Sequence, residues 1–312
     1  MAGLFRKVIR ITGDDSPNVQ LAKAQLAKGG EPTGEQLVPG VLSWREYSKR
    51  RQLWDKVRQA IGLDATFWEG AETLLYPPDW LDKAEAVARD LYLGRGPIQP
   101  KKRQALAVGI DTAEGGDKTV WTSCDQYGFI EQRALHTTDT DEIIGETIAF
   151  GREANVPAER WLFDRGGGGK QHVDRLRKMG YRAEMIGFGE AIAPAPRHGL
   201  STVEQRKRLQ EERLAYFNRR AQMYGDLRAV LDPSVGGFGI PEEMTELRRQ
   251  LSLIPRLYDS EGKLKLPPKN KPSPAYTGAT LIGIIGNSPD EADSAVLAVH
   301  RMIYSALRRT AG

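Results

Sequence analysis

Two apolar runs in this chain end the same way. "ALAVGID" (105–111) and "RWLFD" (160–164) each close on an aspartate, and a glycine turn follows each. A short, fully apolar run bounded by turn residues reads as a strand buried on both faces. Functional groups gather at the carboxyl ends of parallel strands in open α/β sheets. If these two strands are parallel neighbours, about 4.8 Å apart, Asp111 and Asp164 share one rim. Asp also begins turns with no further role, and taken singly each fits that account equally well. The repeated context favours a site.

The second turn, "DRGGGGK", invites comparison with a phosphate-cradling loop. That motif needs a Gly, four residues, Gly-Lys and then Ser or Thr. Here its first glycine would be residue 164, which is Asp164, and the hydroxyl position holds Gln171. The glycines are therefore read as a hinge that lets the backbone turn sharply and approach another chain closely.

Between and after these runs the pattern is regular. "KTVWTSCD" and "GFIEQRALHT" read as strands joined at a turn. A helix follows over about 141–155, then the strand ending at Asp164, the helix "KQHVDRLRKMG" and the strand "YRAEMIGF". Three antiparallel strands followed by β-α-β-α units predict an α/β fold, a mixed sheet flanked by helices. Ahead of it, residues 93–104 ("LGRGPIQPKKRQ") lack apolar periodicity and read as a linker. The expected division is a smaller, mostly helical segment 1–96, a linker 97–104 and a domain 105–312. Within the first segment "RKVIRI" reads as a strand and "DDSPN" as a turn. Helices are expected over 43–61 and in "YPPDWLDKAEAVARDLYLG", the latter with Asp79 as N-cap and Gly94 as stop.

A third group of acids lies in "GNSPDEADSAVLAVHRMIY". Ser288 suits an N-cap, Pro289 the first helical position and Glu291 a capping box. Asp290 and Asp293, three apart, share one face of the first turn. Acids favour a helix N-terminus by about 0.3–1 kcal/mol, which accounts for Asp290 and Glu291 better than for Asp293. His300, two turns on, reads as a surface or packing residue. Carboxylates held together repel, and their pKa values rise unless cations neutralise them. Oxygen-only donors suit magnesium or manganese. Two such ions about 3.5–4 Å apart activate water and stabilise the leaving oxygen of a phosphodiester.

Residues 201–225 ("STVEQRKRLQEERLAYFNRRAQMYG") read as one long helix with an apolar stripe at Leu214, Phe217, Ala221 and Tyr224. Arg206, Arg213 and Arg220, seven apart, line up beside it. That row is either a solvated flank or a set of salt-dependent, sequence-blind phosphate contacts. The net charge of +4 permits a polyanionic partner without demanding one. Cys124 is the single cysteine, so neither an internal disulfide nor a cysteine-built zinc site is available. The start lacks a signal peptide and no apolar run approaches a membrane span, so a cytoplasmic protein without membrane partners is expected.

"AVGIDTAEGGDKTV", "WLFDRGGGGKQHVDRL" and "GNSPDEADSAVLAVH", in that order, resemble the nuclease domain of bacteriophage terminase large subunits. The likeness runs from about Ala105 to the C-terminus. It implies an RNase H-like fold, cleavage of concatemeric double-stranded DNA during head packaging, and two magnesium or manganese ions. By position the metal-binding, catalytic acids fall on Asp111, Asp164 and the pair Asp290 and Asp293. Asp117, in the "GGDKT" turn, matches the family pattern and either lines the site or caps the hairpin. "YDSEGKLKLPPKNK" resembles the hairpin before the last helix, with Lys269 near the DNA path, whereas "PSPAYTGATLIGII" departs from the family. "RKVIRITGDDSPNV" and "FWEGAETLLYPPDWL" resemble only the end of the terminase ATPase domain. The Walker loop would lie earlier, so no ATP site is expected in this chain. The implied partners are DNA, the small subunit, the portal and the ATPase part of the motor, in the host cytoplasm. The rivals are a junction resolvase, an actin-like phosphotransferase, and a non-cutting module that docks on the portal.

Overall fold

The computed structural model describes residues 10–53, 59, 62–65, 74–113, 117–192, 215–235, 237–270 and 278–305. The chain divides into two compact units, Met1–Thr73 and Leu74–Gly312. Among the described residues no helix is long and apolar enough to cross a membrane.

The first unit is built on helices α1 (Pro17–Ala27) and α2 (Trp44–Leu53). Val19, Tyr47 and Leu63 form its small core. The "DDSPN" stretch is more than a turn: a 3-10 turn (Gly13–Asp15) leads straight into α1, with Pro17 in its first turn, where a missing N–H costs nothing. Asn18 ties the following loop down, donating to the Val38 carbonyl and accepting from its N–H, both at 3.0 Å. The expected strand "RKVIRI" lies outside the described residues except for Arg10 and Ile11, which are not in a strand.

The second unit starts before the anticipated linker. Helix α3 (Pro78–Tyr92) buries Leu81, Ala84, Ala88 and Leu91, the first two in the large core of that unit, and the Ala84 carbonyl accepts from Ile240 N–H at 3.1 Å. The helix begins at Pro78 after Pro77, so Asp79 sits inside the first turn rather than at the cap. Gly94 follows the helix at φ +71°, the expected stop.

The sheet has the predicted mixed form. Strands β1 (Ala107–Asp111), β2 (Thr119–Asp125) and β3 (Gly128–Leu135) make the antiparallel meander. Helix α4 (Thr140–Glu153) leads to β4 (Trp161–Asp164), which lies parallel to β1. Helix α5 (Gly169–Lys178) leads to β5 (Glu184–Ile186), parallel to β4. The order is β3-β2-β1-β4-β5. Helices α6 (Arg219–Leu231) and α7 (Thr245–Leu251), a hairpin of β6 (Leu257–Tyr258) and β7 (Leu264–Lys265), helix α8 (Leu281–Ile285) and helix α9 (Asp290–Ser305) follow.

Each face of the sheet has its own core, and side chains alternate between them. On β1, Val108 and Ile110 join Trp121, Trp161, Phe163 and the inner residues of α4 and α5. Ala107 faces the other way, towards Leu162, α6, α7 and α9. By the same alternation Asp111 at the end of β1 and Asp164 at the end of β4 both lie on the α9 side. Helix α9 packs on β1 so closely that a Cβ on Gly109 would stand 2.2 Å from the Ser294 carbonyl oxygen and 2.3 Å from Ala298 N. Ser294 Oγ fastens the pair, donating to the Gly109 carbonyl at 3.0 Å and lying 2.8 Å from Thr122 Oγ1. Residues 292–300 are buried all round, which makes α9 a central helix rather than a one-faced one.

The atoms that a Gly109 side chain would meet are helix backbone, so relief requires moving α9 as a body. Gly109→Ala is expected to destabilise the protein by about 3 kcal/mol, the upper end for overpacking. Urea denaturation followed by circular dichroism measures this; a midpoint unchanged from wild type would show that the contact is not tight.

Candidate active site

The glycine run after Asp164 behaves as a hinge. Gly167 and Gly168 have φ of +55° and +81°. A Cβ on Gly167 would lie 2.0 Å from the Thr112 carbonyl oxygen, and one on Gly169 would lie 1.8 Å from that of Asp164. Only a bare backbone presses the turn against the end of β1 in this way. The result brings the exits of β1 and β4 together and leaves Asp164 half-buried, accepting from the Gly166 N–H.

Helix α9 brings the remaining acids. Asp290 and Asp293 stand in its first turn, and both are buried. Three of the carboxylates converge on one ammonium group. Lys269 Nζ lies 3.1 Å from Asp293 Oδ2, 3.7 Å from Asp290 Oδ1 and 3.8 Å from Asp111 Oδ2. The unexpected insert fixes this lysine: α8, capped by Thr280, donates Leu281 N–H to the Pro268 carbonyl at 2.8 Å and Ile282 N–H to the Lys269 carbonyl at 3.0 Å.

One ammonium cannot satisfy so much buried negative charge, and the carboxyl groups record it. Burial, with Asp293, Asp164 and Asp290 near, drives Asp111 well above the ordinary carboxylate range despite Lys269. Burial and the Asp293 charge push Asp164 up to about 6. Burial also raises Asp290, and the exposed Asp117 adds to the negative field there. Asp293 goes the other way. Burial opposes its ionisation, but Arg220, Lys269 and the Tyr224 hydroxyl together hold its pKa below the usual value.

Glu291 does not complete a capping box. Its carboxylate accepts from Lys118 Nζ and Gln250 Nε2, both at 2.6 Å, while Gln250 Oε1 takes the Ala292 N–H at 2.9 Å. His300 is a packing residue, buried with Nδ1 2.9 Å from Asp226 Oδ2.

Arg220 requires a correction. The sequence reading placed it on a DNA-facing row with Arg206 and Arg213, which lie outside the described residues. Helix α6 starts only at Arg219, where Asn218 caps it by accepting from Ala221 N–H. Arg220 then points inward: it is 8% exposed, and its Nη2 contacts Asp293 Oδ1 at 2.9 Å. Phe217, placed on the same stripe, lies before the helix and is half exposed. The bonds of Arg220 and Tyr224 to Asp293 could not be read from the sequence, because the partner is 73 and 69 positions away. Their spacing of four on one helix was the only local sign.

A divalent cation fits this place in donor chemistry and in charge. The donors are hard carboxylate oxygens, and an ammonium stands where added positive charge is needed. Spacing is a separate matter: among the described residues, no three acidic, His or Cys side chains are drawn together at metal-ligand distances.

The raised carboxyl groups set a pH dependence for the metal-free protein. Between about pH 4 and 6 the folded state keeps a proton on Asp164 that the unfolded chain has released, so stability falls as pH rises through that window. In EDTA, Asp164→Asn is expected to melt above wild type at pH 7.5, by about 1–2 kcal/mol after allowing for partial exposure. The gap should close as pH falls towards 4. Thermal melts across pH 4–8 check this, and a gap that does not vary with pH would contradict it.

Neither a family model nor a curated protein matches the sequence. Solved structures do. The nuclease domain of the large terminase subunit gp2 of bacterial virus Sf6 superposes with a TM-score of 0.53 at 20% identity, over 73% of this chain and 98% of that one. A lysine-to-alanine variant of that domain with manganese and β-thujaplicinol gives 0.52 at 19%, with the same coverage. The variant with calcium gives 0.51 at 19%, over 73% and 99%. The fold of this chain is that of phage large-terminase nuclease domains, the RNase H-like mixed sheet flanked by helices.

Proposed function

We propose that this chain is a metal-dependent endonuclease that cuts concatemeric double-stranded DNA during phage genome packaging. The observation that carries the reading is the gathering of Asp111, Asp290 and Asp293 around one cationic centre, with Asp164 at the neighbouring strand end. Two of the three compared Sf6 structures contain manganese or calcium, which accords with such a centre. Asp111, Asp164, Asp290 and Asp293 would hold two magnesium or manganese ions. Bound there, the pair would supply an activated water and charge stabilisation for the leaving phosphodiester oxygen.

The rest falls to the protein. Burial of Asp111 and Asp290 removes competing water and strengthens every charge interaction at the site. Lys269 partly neutralises the acids and keeps the metal-free fold tolerable. The β6–β7 hairpin carries Lys265, whose Nζ lies 4.9 Å from the ring of the half-exposed Phe217, and would give the phosphate backbone a basic approach. Arg206 and Arg213 remain proposed phosphate contacts. Binding through such groups is sequence-blind and weakens with salt. The implied setting is the host cytoplasm, with the small subunit, the portal and an ATPase as companions.

Nicking of supercoiled plasmid tests the proposal. The protein with manganese or magnesium should convert supercoiled DNA to open circles, and Asp111→Ala or Asp164→Asn should slow this by about 100-fold or more. If wild type leaves the plasmid intact with both metals, the cutting role falls and a portal-docking module is the better reading.

A further inference from the structure

We infer that Arg220 and Tyr224 are positioning residues: together they grip one oxygen of Asp293 so that its other oxygen faces the cationic centre. The inference rests on the nuclease reading and extends it to two residues of α6.

Asp293 is fully buried, and among the described residues its donors come from α6 and from Lys269. Oδ1 accepts from the Tyr224 hydroxyl at 2.7 Å and from Arg220 Nη2 at 2.9 Å. Oδ2 takes a longer contact from the same Arg220 nitrogen, 3.1 Å, and meets Lys269 Nζ at 3.1 Å. Among the described residues Oδ1 is thus held from α6 alone, by two groups, while Oδ2, which the same arginine nitrogen also touches, meets Lys269 in the cluster shared with Asp111 and Asp290.

The grip is itself anchored. Arg220 lies over the rings of Phe188 and Tyr224, at 5.4 and 5.6 Å, and its backbone N–H donates to the Phe188 carbonyl at 2.9 Å. The carbonyl of Tyr224 accepts the Tyr76 hydroxyl at 2.9 Å. A spacing of four residues puts Arg220 and Tyr224 on one face of α6, so both donors approach Asp293 from one side.

Stability alone is a poor reason for this arrangement. A buried ion pair roughly breaks even against a well-packed apolar pair, so α6 and α9 could dock without it. What it supplies is direction: a carboxylate gripped at one oxygen presents the other at a fixed place. Hydrogen-bonding partners of this kind, one step removed from a metal, are worth about 10–100-fold in metal affinity or activity.

The test is manganese binding to the full chain without DNA, by calorimetry or by the Mn2+ paramagnetic resonance signal, alongside plasmid nicking. Tyr224→Phe keeps ring and charge and removes only the hydroxyl. Thr147→Val, which removes a buried hydroxyl bonded to Trp121 on the opposite face of the sheet, is the control for general loosening. Tyr224→Phe should weaken manganese binding by about tenfold and shift nicking to higher manganese concentration, and Thr147→Val should leave manganese affinity within twofold of wild type. Arg220→Lys, which keeps the charge but loses the planar fork, should fall on the same side as Tyr224→Phe. The inference is overturned if Tyr224→Phe binds manganese as wild type does, or if Thr147→Val weakens it equally. If wild type itself neither binds manganese nor nicks, the nuclease reading falls first and takes this inference with it.

Discussion

Helix α9 lies on strand β1 with no side chain between them at Gly109, and the rest of the second unit is arranged around that contact. The absent Cβ sets how deep the helix can sink, and Ser294 locks its position along the strand through the Gly109 carbonyl and Thr122. Once the helix is placed, its first turn has nowhere to go but the exits of β1 and β4. Helices α6 and α7 then close over its remaining sides, which is why even its polar residues are out of water.

Placing acids there creates a charge problem that the fold solves unevenly. Asp290 and Asp293 are three residues apart on one turn, yet their surroundings push them in opposite directions. Asp293 receives an arginine, a tyrosine and a lysine, and stays ionised. Asp290 has the Ser288 hydroxyl, a long contact from the Lys118 N–H at 3.4 Å and Lys269 only at 3.7 Å, and burial prevails. Paired carboxylates in distinct environments are a recurrent means of giving two like groups different tasks. The neighbouring Glu291 shows the contrasting case: with Lys118 and Gln250 on its two oxygens it is a structural acid, although its sequence context equals that of Asp290.

Much of this was legible in the residues. Apolar runs ending in acids marked β1 and β4 as buried strands whose aspartates would share a rim if the two were parallel neighbours, which they are, and counting along the glycines after Asp164 spoke against a phosphate loop. What stayed hidden depends on partners far apart in the chain. Arg220 looked like one of a row of surface arginines, and nothing local reveals that the helix begins only at Arg219 and turns that side chain inward. Helix α1 was hidden by its weak pattern, since only Asn18, Val19 and Ala22 are buried along it. The unit boundary was drawn at a proline-glycine stretch because linkers are commonly so composed. The apolar face of α3, however, finds its complement near Ile240 and Phe238, long after the supposed linker.

The alternation along β1 has a consequence for how this segment can vary in length. Ala107, Gly109 and Asp111 point one way and Val108 and Ile110 the other, so the count of residues, more than their identity, aims the terminal acid. Exchanging one aliphatic residue for another at 108 or 110 keeps that aim. Adding or deleting a single residue within the strand would swing the carboxylate through the sheet into the apolar layer of Trp121 and Phe163. Chains of this design can therefore drift in composition at positions such as 108 and 110 while the strand's length stays locked.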